Sequence, residues 1–303
     1  MNQQLLAFER QLQSSILVQI KEPFIQEQGI ELWLKRDDLL HPIMSGNKWR
    51  KLKYILEHAL SLKAQTIVSM GGAYSNHLHA LAYVGKALQI ATKAKIRGEQ
   101  PALLNPSLQD MSDWGMQLEF VARTDYRELR NYQRYDALPE LQVGEYWLPE
   151  GGALPLALRG VAELVGELDV DYDMICVPCG TATTLAGIIS ALPENKQALG
   201  FAALKGAGFL YDDVRQMLKN TLHHNKDWSI QLDYHFGGFA KIKPDLCAFI
   251  QQFSKTQGIA LEPVYTGKML YGLYDLIRQG YFTAGQRIIA VHTGGLQGNR
   301  GFA

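Results

Sequence analysis

A repeated order of a short apolar run, a turn of small residues and a helical pattern is the feature that most constrains the fold of this chain. The full order is present in TIVSMGGAYSNHLHALAYVGKAL at 66–88 and MICVPCGTATTLAGIISAL at 174–192, and RIIAVHTGGLQG at 287–298 repeats the strand and its turn. Strands that alternate with helices form parallel sheets covered on both faces, and such sheets bind ligands outside the carboxyl ends of their strands. Each turn follows a predicted strand, so the turns can converge on one cleft of an α/β fold. IELWLKRDDLL and ALGFAALKGAG are further strand candidates.

Composition and charge limit the partners that this chain can have. Its 303 residues are 47% apolar, which is enough for two domains or subdomains. Thirty basic residues balance thirty acidic ones, so there is no electrostatic reason to expect nucleic acid or a membrane surface as a partner. The start MNQQLLAFERQLQ has acidic and amide residues where a signal peptide needs a basic start, and no apolar run approaches the roughly 18 residues of a membrane span. We therefore expect a soluble, cytoplasmic protein.

The cysteines allow one alternative to a purely structural role. Cys176, Cys179 and Cys247 are too few for a disulfide scaffold, and the first two form the motif CVPC. A zinc site would need a second close pair or a histidine pair around Cys247, and neither is arranged there. We therefore favour a buried strand that runs into a loop over a redox or metal site, and we expect no metal.

Other segments carry weaker signals. Residues 97–144 are irregular and are predicted to be helices with loops, a variable portion of one domain. KNTLHHNKDW at 219–228 and GGFAKIKPDL at 237–246 have the composition of surface loops.

One lysine in HPIMSGNKWRKLKYILEHALSL, residues 41–62, has an unusual predicted position. At roughly 100° per residue, one side of the predicted helix is apolar and is formed by Leu52, Ile55, Leu56, Ala59, Leu60 and Leu62. The opposite, solvated side is predicted to hold Arg50, Lys53, Glu57 and Ser61. Lys48 falls on the apolar side. Such a lysine either snorkels to water or lies in a cleft with a lowered pKa, where its amine becomes nucleophilic enough for Schiff-base chemistry. The segment alone favours snorkelling.

The turn CGTATT at 179–184 resembles an anion site. Gly180, Thr181, Thr183 and Thr184 supply exposed backbone N–H groups and hydroxyls at the start of a predicted helix. Together with the helix dipole these groups suit a single phosphate monoester, since the loop has neither a Walker A lysine nor GxGxxG. A threonine-capped helix without a ligand is the alternative.

Three further turns carry polar side chains at the same predicted edge. Ser75 has the position of a helix N-cap, and with Asn76 it could hold a carboxylate or phenolate oxygen of a ligand. Thr293 precedes two glycines that would let a flat ring approach the backbone, and Tyr265 lies in a loop that enters a helix. None of these turns is specific alone.

Taken in order, SGNKWRKL, GGAYSNH, PEGG, CGTATTLAG, EPVYTGK and HTGG resemble one family of pyridoxal-phosphate enzymes. This is the branch of the tryptophan synthase β-like fold that contains 1-aminocyclopropane-1-carboxylate deaminase and D-cysteine desulfhydrase. The resemblance runs from about Leu34 to Gly295 and is faint between 97 and 144. It implies two open, twisted, mostly parallel α/β domains with the cofactor in the cleft between them. The large domain would comprise residues 1–49 and 156–303, the small inserted domain residues 50–155, and the protein would be a homodimer, as family members commonly are.

The resemblance also implies a role for each candidate residue. Lys48 would be the Schiff-base lysine and the base that takes the α-proton. Ser75 would bind the substrate carboxylate or relay a proton, and Tyr265 would line the substrate side. Asn76 would hydrogen-bond the phenolic oxygen of pyridoxal phosphate, and the neutral hydroxyl of Thr293 would bond its ring nitrogen and leave it largely unprotonated. The phosphate would be held by Cys179, Gly180, Thr181, Ala182, Thr183 and Thr184.

The implied activity is a lyase or deaminase reaction on a small amino acid, with an α-keto acid and ammonia as products and sulfide in addition from D-cysteine. In the family a tyrosine pair is implicated in opening the cyclopropane ring. Tyr265 fills the first place, Phe239 aligns with the second, Tyr234 lies too early, and Thr266 replaces a carboxylate of the deaminases. We therefore predict α,β-elimination from a D-amino acid. The alternatives are the deaminase, an amino-acid racemase or hydroxy-amino-acid dehydratase, and a non-catalytic cofactor-binding homologue, against which Ser75 and Tyr265 argue.

Overall fold

Two sheets form the framework of the protein. The computed structural model describes residues 2–221 and 227–302, so part of the predicted loop KNTLHHNKDW lies outside the described residues. The strands in the described part are β1 Leu17–Ile20, β2 Glu31–Lys35, β3 Thr66–Gly71, β4 Ala91–Arg97, β5 Gln117–Val121, β6 Glu145–Leu148, β7 Met174–Cys179, β8 Gln197–Ala202, β9 Trp228–Gln231 and β10 Arg287–Val291.

Helices alternate with these strands along most of the chain. They are α1 Gln3–Glu9, α2 Pro23–Glu27, α3 Lys48–Ser61, α4 Asn76–Leu88, α5 Pro106–Asp113, α6 Arg123–Leu129, α7 Leu156–Gly166, α8 Thr183–Ile189, α9 Leu210–Leu218, α10 Pro244–Gln257 and α11 Thr266–Arg278. Short 3₁₀ turns lie at Asp37–Leu39, Glu150–Gly152, Ala207–Phe209 and Leu296–Gly301. Among residues 2–221 and 227–302, no helix has both the length and the apolar character needed to cross a membrane.

The sheets are almost entirely parallel, as the repeated order predicts. The large sheet has the strand order β1-β2-β10-β7-β8-β9, in which β1 alone runs antiparallel to its neighbour. The small sheet has the order β5-β4-β3-β6 and is wholly parallel. This arrangement confirms the predicted α/β class, whereas the exact domain boundaries at 1–49, 50–155 and 156–303 stay a prediction.

Alternate residues of β7 enter the cores on the two faces of the large sheet. Ile175 and Val177 pack with residues of α7, α8 and α9. Cys176 lies in the opposite core, with residues of α10 and α11. All six residues of β7 are buried, which confirms the interpretation of CVPC as a buried strand. A third core joins α3, α4 and α5 to the small sheet.

The prediction of a solvated side on α3 was wrong for Arg50 and Lys53, whereas Ser61 is exposed as predicted and Glu57 is half-buried. Arg50 and Lys53 are buried on this helix, with 3% and 7% of their surface exposed. The cause is α7, which packs against that side so closely that a Cβ at Gly160 would overlap the carbonyl oxygen of Arg50. Leu62, in contrast, was predicted on the apolar side, but α3 ends at Ser61 and Leu62 is 49% exposed.

Carboxylates from distant segments neutralise the buried cations of α3. Arg50 donates to both oxygens of Asp37, at 2.7 and 2.9 Å, and to both oxygens of Glu167, each at 2.7 Å. Lys53 pairs with Glu9 at 2.6 Å and with Glu163 at 2.9 Å. The charges that make this side of α3 resemble a solvated face therefore form the contact between α3, α7 and the end of β2.

The middle of the chain is more regular than its composition indicates. Residues 97–144 contain the predicted helices, α5 and α6, but also β5, an edge strand of the small sheet that the sequence did not predict. All five residues of β5 are partly or fully exposed, so the strand lacks the apolar run that marks the central strands.

The contact between α3 and α7 can be tested with two glycines of α7. We expect Gly160→Ala to lower the free energy of unfolding by about 1–3 kcal/mol, because the added methyl group would displace the Arg50 carbonyl. Gly166→Ala is the matched control, since a Cβ there meets no atom within 4 Å. Urea unfolding of both variants measures the difference, and equal stabilities would show that the two helices do not pack this closely.

Candidate active site

The carboxyl ends of strands from both sheets bring the predicted residues together. Ser75 and Asn76 follow β3, the loop 179–184 follows β7, and Thr293 follows β10. Lys48 is the first residue of α3, after the long connection from β2. The loop before it lies directly on the turn of β10, because a Cβ at Gly46 would overlap the Thr293 carbonyl and Asn47 N donates to that oxygen at 3.3 Å.

Lys48 is held beside the candidate phosphate loop. Its Nζ donates to Asn47 Oδ1 at 2.7 Å, and Asn47 Nδ2 donates to the Thr184 hydroxyl at 2.7 Å. Burial lowers the pKa of Lys48 to about 8, although the Glu262 carboxylate opposes this shift. Lys48 lines a cavity of about 330 Å³ together with Ser45, Asn76 and other residues. An amine with this pKa is partly unprotonated near neutral pH and can act as a nucleophile or a base.

The loop 179–184 has the compact form that its residues predict. Ala182 adopts a left-handed conformation with φ 54°, directly before α8. The hydroxyls of Thr181 and Thr183 lie 3.0 Å apart, and Thr183 and Thr184 are buried. The loop itself contains no cation.

Lys51, which the sequence did not single out, lies near this loop, because Gly151, whose carbonyl oxygen it contacts, packs against Thr181. It is buried on α3 and makes one long hydrogen bond, 3.4 Å from Nζ to the carbonyl oxygen of Gly151. Burial and the neighbouring Lys48 lower its pKa to about 7. No carboxylate pairs with it in the described part of the chain, and a buried cation in that state favours binding of an anion. Its i+3 spacing from Lys48 was the signal that could have identified it.

His77 is a second residue that the sequence did not single out. Ser69 donates its hydroxyl proton to Leu148 O at 2.7 Å, so His77 Nε2 must donate to Ser69 Oγ, at 2.9 Å. Nδ1 is then an acceptor, and it is buried without a partner among the described residues. Burial, with Lys51 and Lys48 nearby, lowers the pKa of His77 to about 3, so the ring is neutral. Nδ1 packs against Gly152, near the side chain of Lys51.

Ser75 and Asn76 are both placed by the start of α4. The Ser75 oxygen accepts a hydrogen bond from Leu78 N at 3.2 Å, which confirms its N-cap position. Asn76 packs against Gly295, and its side-chain oxygen accepts a short hydrogen bond from Gln297. The turn after β10 and the start of α4 therefore meet at Asn76.

A buried carboxylate orders the turn that carries Tyr265. Glu262 accepts hydrogen bonds from the backbone N–H groups of Val264 at 2.7 Å, Tyr265 at 2.9 Å and Thr266 at 2.5 Å. Burial raises the pKa of Glu262, and these hydrogen bonds oppose the shift. The Thr266 hydroxyl lies 3.3 Å from that of Thr293, so the turn is joined to the end of β10. An acidic residue four positions before a helix start was the signal for this cap.

Two of the three aromatic residues considered for ring opening, Tyr265 and Phe239, lie together near this turn. Tyr265 lies against Gly180, and burial raises the pKa of its phenol, which therefore stays protonated. The ring of Phe239 lies 6.0 Å from the Tyr265 ring, at 66°. Tyr234 points elsewhere, because its hydroxyl donates to Asp275 at 2.8 Å.

Cys176, Cys179 and Cys247 form no disulfide in the structure. Cys176 and Cys179 are free and buried, and burial raises the pKa of Cys179 to about 12, so its thiol is protonated. Across the described residues, no group of three or more His, Cys, Asp or Glu side chains is arranged to hold a metal ion.

Comparisons with known proteins identify the family of this chain. Residues 16–294 match the family model described as pyridoxal-phosphate dependent enzyme. The chain is 29% identical to the bifunctional D-cysteine desulfhydrase/1-aminocyclopropane-1-carboxylate deaminase of Arabidopsis thaliana, over 89% of this chain and 73% of the relative. It is 28% identical to the D-cysteine desulfhydrase of Serratia proteamaculans, over 88% and 87%. A crystal structure of an ACC deaminase homologue superposes with a TM-score of 0.76 and 26% identity, covering 99% of this chain and 97% of that one.

The lowered pKa of Lys48 predicts a pH dependence of stability in the cofactor-free protein. Between pH 8 and 10.5 the Lys48 amine holds a proton in the unfolded chain but has released it in the folded protein. The free energy of unfolding therefore increases as the pH rises through this range. Lys48→Met lacks this contribution. Denaturant unfolding across this range should show the wild type becoming more stable relative to the variant as pH rises, and parallel curves would contradict the lowered pKa.

Proposed function

The chain belongs to the pyridoxal-phosphate dependent enzymes, and on that basis we propose that it catalyses α,β-elimination on a small D-amino acid with a leaving group on its β-carbon. With D-cysteine and water the products are pyruvate, ammonia and hydrogen sulfide. The names of the Arabidopsis and Serratia relatives support this reaction class.

The residues around the cleft suit this cofactor. When bound, pyridoxal phosphate supplies an electron sink that makes the α-proton of an amino acid acidic. Lys48 offers a partly unprotonated amine for the covalent link, and the unpaired ammonium of Lys51 beside the loop 179–184 suits the phosphate. Asn76 and Thr293 offer an amide and a hydroxyl for the phenolic oxygen and the ring nitrogen.

Three side chains, Lys48, Ser75 and Tyr265, have separate roles in the proposed reaction. Lys48 Nζ, released when the amino group of the substrate replaces it in the covalent link, would take the α-proton, which requires the neutral amine that burial favours. The Ser75 oxygen already accepts a hydrogen bond from Leu78 N, so its hydroxyl proton is free to donate to the substrate carboxylate. Tyr265 keeps its proton and forms the wall of the substrate side.

The position of Phe239 is the observation that favours elimination over ring opening. 1-Aminocyclopropane-1-carboxylate has no α-proton, so its ring must be attacked or protonated by additional groups. Phe239 lies against Tyr265, where a second phenol would be needed, and a phenyl ring has no proton to donate. Tyr234 binds Asp275 instead. The deaminase reaction is the second candidate, because the Arabidopsis relative is named for both activities.

We also propose that the protein is a homodimer, as the resemblance implies, and that it is cytoplasmic, as we expect from its sequence. Sedimentation analysis of the purified protein decides its oligomeric state.

Steady-state assays on two substrates test the proposed function. We expect release of pyruvate and sulfide from D-cysteine with kcat/KM higher than that for α-ketobutyrate release from 1-aminocyclopropane-1-carboxylate by roughly 100-fold or more, the range that a missing acid or base supplies. L-Cysteine is the stereochemical control. Efficient ring opening with D-cysteine inert would overturn the proposal.

Borohydride reduction tests the assignment of Lys48. In the wild type we expect mass spectrometry to find the reduced cofactor on Lys48, and Lys48→Ala should lose both this adduct and turnover while it stays folded. Lys53→Ala is the matched control on the same helix, since Lys53 pairs with Glu9 and Glu163 away from the cleft. An adduct on Lys51 in the wild type would show that the other buried lysine of α3 carries the cofactor.

A further inference from the structure

Lys268 is a buried cation that the proposed reaction does not use. It lies in the first turn of α11, three residues after Tyr265, with 1% of its surface exposed. Its Nζ donates to three backbone carbonyl oxygens, of Gly238 at 2.8 Å, His235 at 3.0 Å and Ala203 at 3.4 Å. An ammonium has three N–H donors, so these carbonyls use all of them. No carboxylate forms an ion pair with Lys268 within residues 2–221 and 227–302.

The three carbonyls belong to two separate connections at the carboxyl edge of the large sheet. Ala203 directly follows β8, and its N–H donates to the carbonyl of Cys179 at 2.9 Å, next to the candidate phosphate loop. His235 and Gly238 belong to the loop at residues 233–241, which follows β9. Lys268 therefore joins that loop to α11 and to the end of β8.

The loop at 233–241 contains unfavourable backbone conformations, which the hydrogen bonds from Lys268 can stabilise. Phe236 and Ala240 are both left-handed, with φ 55°, a conformation that costs free energy for residues with a Cβ. Gly237 and Gly238 have φ of 101° and 128°. The hydroxyl of Tyr234 anchors the start of the loop on α11, and Lys268 binds its centre.

This loop also places an aromatic side chain at the candidate active site. Phe239 directly follows Gly238, whose carbonyl oxygen accepts the shortest of the three hydrogen bonds from Lys268. The Phe239 ring lies 6.0 Å from the Tyr265 ring. A shift of the loop would therefore move one wall of the substrate side.

We propose that Lys268 is a positioning residue whose ammonium acts as a tethered cation, holding the loop at 233–241 and with it Phe239 in place beside Tyr265. Backbone carbonyls arranged around a cation are also the ligands that replace the hydration shell of K⁺ in proteins. Burial lowers the pKa of Lys268 to about 8, so most of the ammonium remains charged at neutral pH.

Two variants separate the charge of Lys268 from its packing. Lys268→Ala removes the ammonium and leaves space beside the three carbonyls, which free K⁺ or NH₄⁺ can enter. Lys268→Met is the matched control, because it fills the same space without a charge. Hydrogen–deuterium exchange of the peptide at 233–241 is measured for the holoenzyme of each variant and of the wild type, in choline, potassium and ammonium chloride.

We expect the loop of Lys268→Ala to exchange faster than the wild type in choline chloride and to return to the wild-type rate in potassium or ammonium chloride. Lys268→Met should exchange faster in all three salts, and the wild type should be indifferent to the salt. The second readout rests on the proposed function: kcat/KM for D-cysteine should fall about tenfold or more in Lys268→Ala and recover with the same cations, since misplaced substrate contacts slow turnover.

Several outcomes would overturn the proposal. Wild-type exchange and activity in Lys268→Met would show that the charge is not needed, and fast exchange in Lys268→Ala that neither cation slows would show that the carbonyls do not form a cation site. If Lys268→Ala unfolds in choline chloride, its thermal unfolding temperature is compared in the three salts, and independence of the cation counts against the proposal. A wild-type protein inert toward every amino acid would remove the proposed function, while the exchange measurement would still decide the role of Lys268.

Discussion

The ion pairs of the Arg50 guanidinium are the interactions on which the position of Lys48 depends. Arg50 lies two residues after Lys48 and binds Asp37, after β2, and Glu167, after α7, each through two hydrogen bonds. One cation thus fixes the first turn of α3 to the large sheet and to the helix packed on it. The Asp37 side chain is fully buried, and removing one partner of such a buried ion pair costs about 3–5 kcal/mol, because the remaining charge stays desolvated. The small rotation that would carry Lys48 out of the cleft is opposed by that cost.

Local patterns predicted most of the edge at which the candidate residues meet. The buried runs of β3, β7 and β10 and the small residues after them are short-range signals, and the strands form where those runs lie. Ser75 could be placed as an N-cap because the hydrogen bond that defines it spans three residues. The resemblance to a known family added the roles of these residues, which no single turn indicates by itself.

Side chains whose partners lie far along the chain could not be placed in the same way. Lys53 and Lys51 look like solvated charges until α7 and the turn at Gly151, about a hundred residues later, cover them. Lys268 likewise depends on carbonyls 30 to 65 residues away. Of these, Lys51 lies beside Lys48 near the cleft and has no carboxylate partner among the described residues, so it can add positive charge to the site. That charge suits an anionic cofactor, and periodicity along one helix could not reveal it.

The central place of β10 in the large sheet has a consequence for how the protein is made. β10 pairs with β2 on one side and β7 on the other, yet it follows all the other described strands along the chain. The strands of the small sheet are complete by Leu148 and can pair while the ribosome is still at work. At ordinary rates of translation, β10 is synthesised on the order of ten seconds after β7. Throughout that time β2 and β7 each expose an open edge, so the nascent chain is most vulnerable to aggregation just before β10 completes the large sheet.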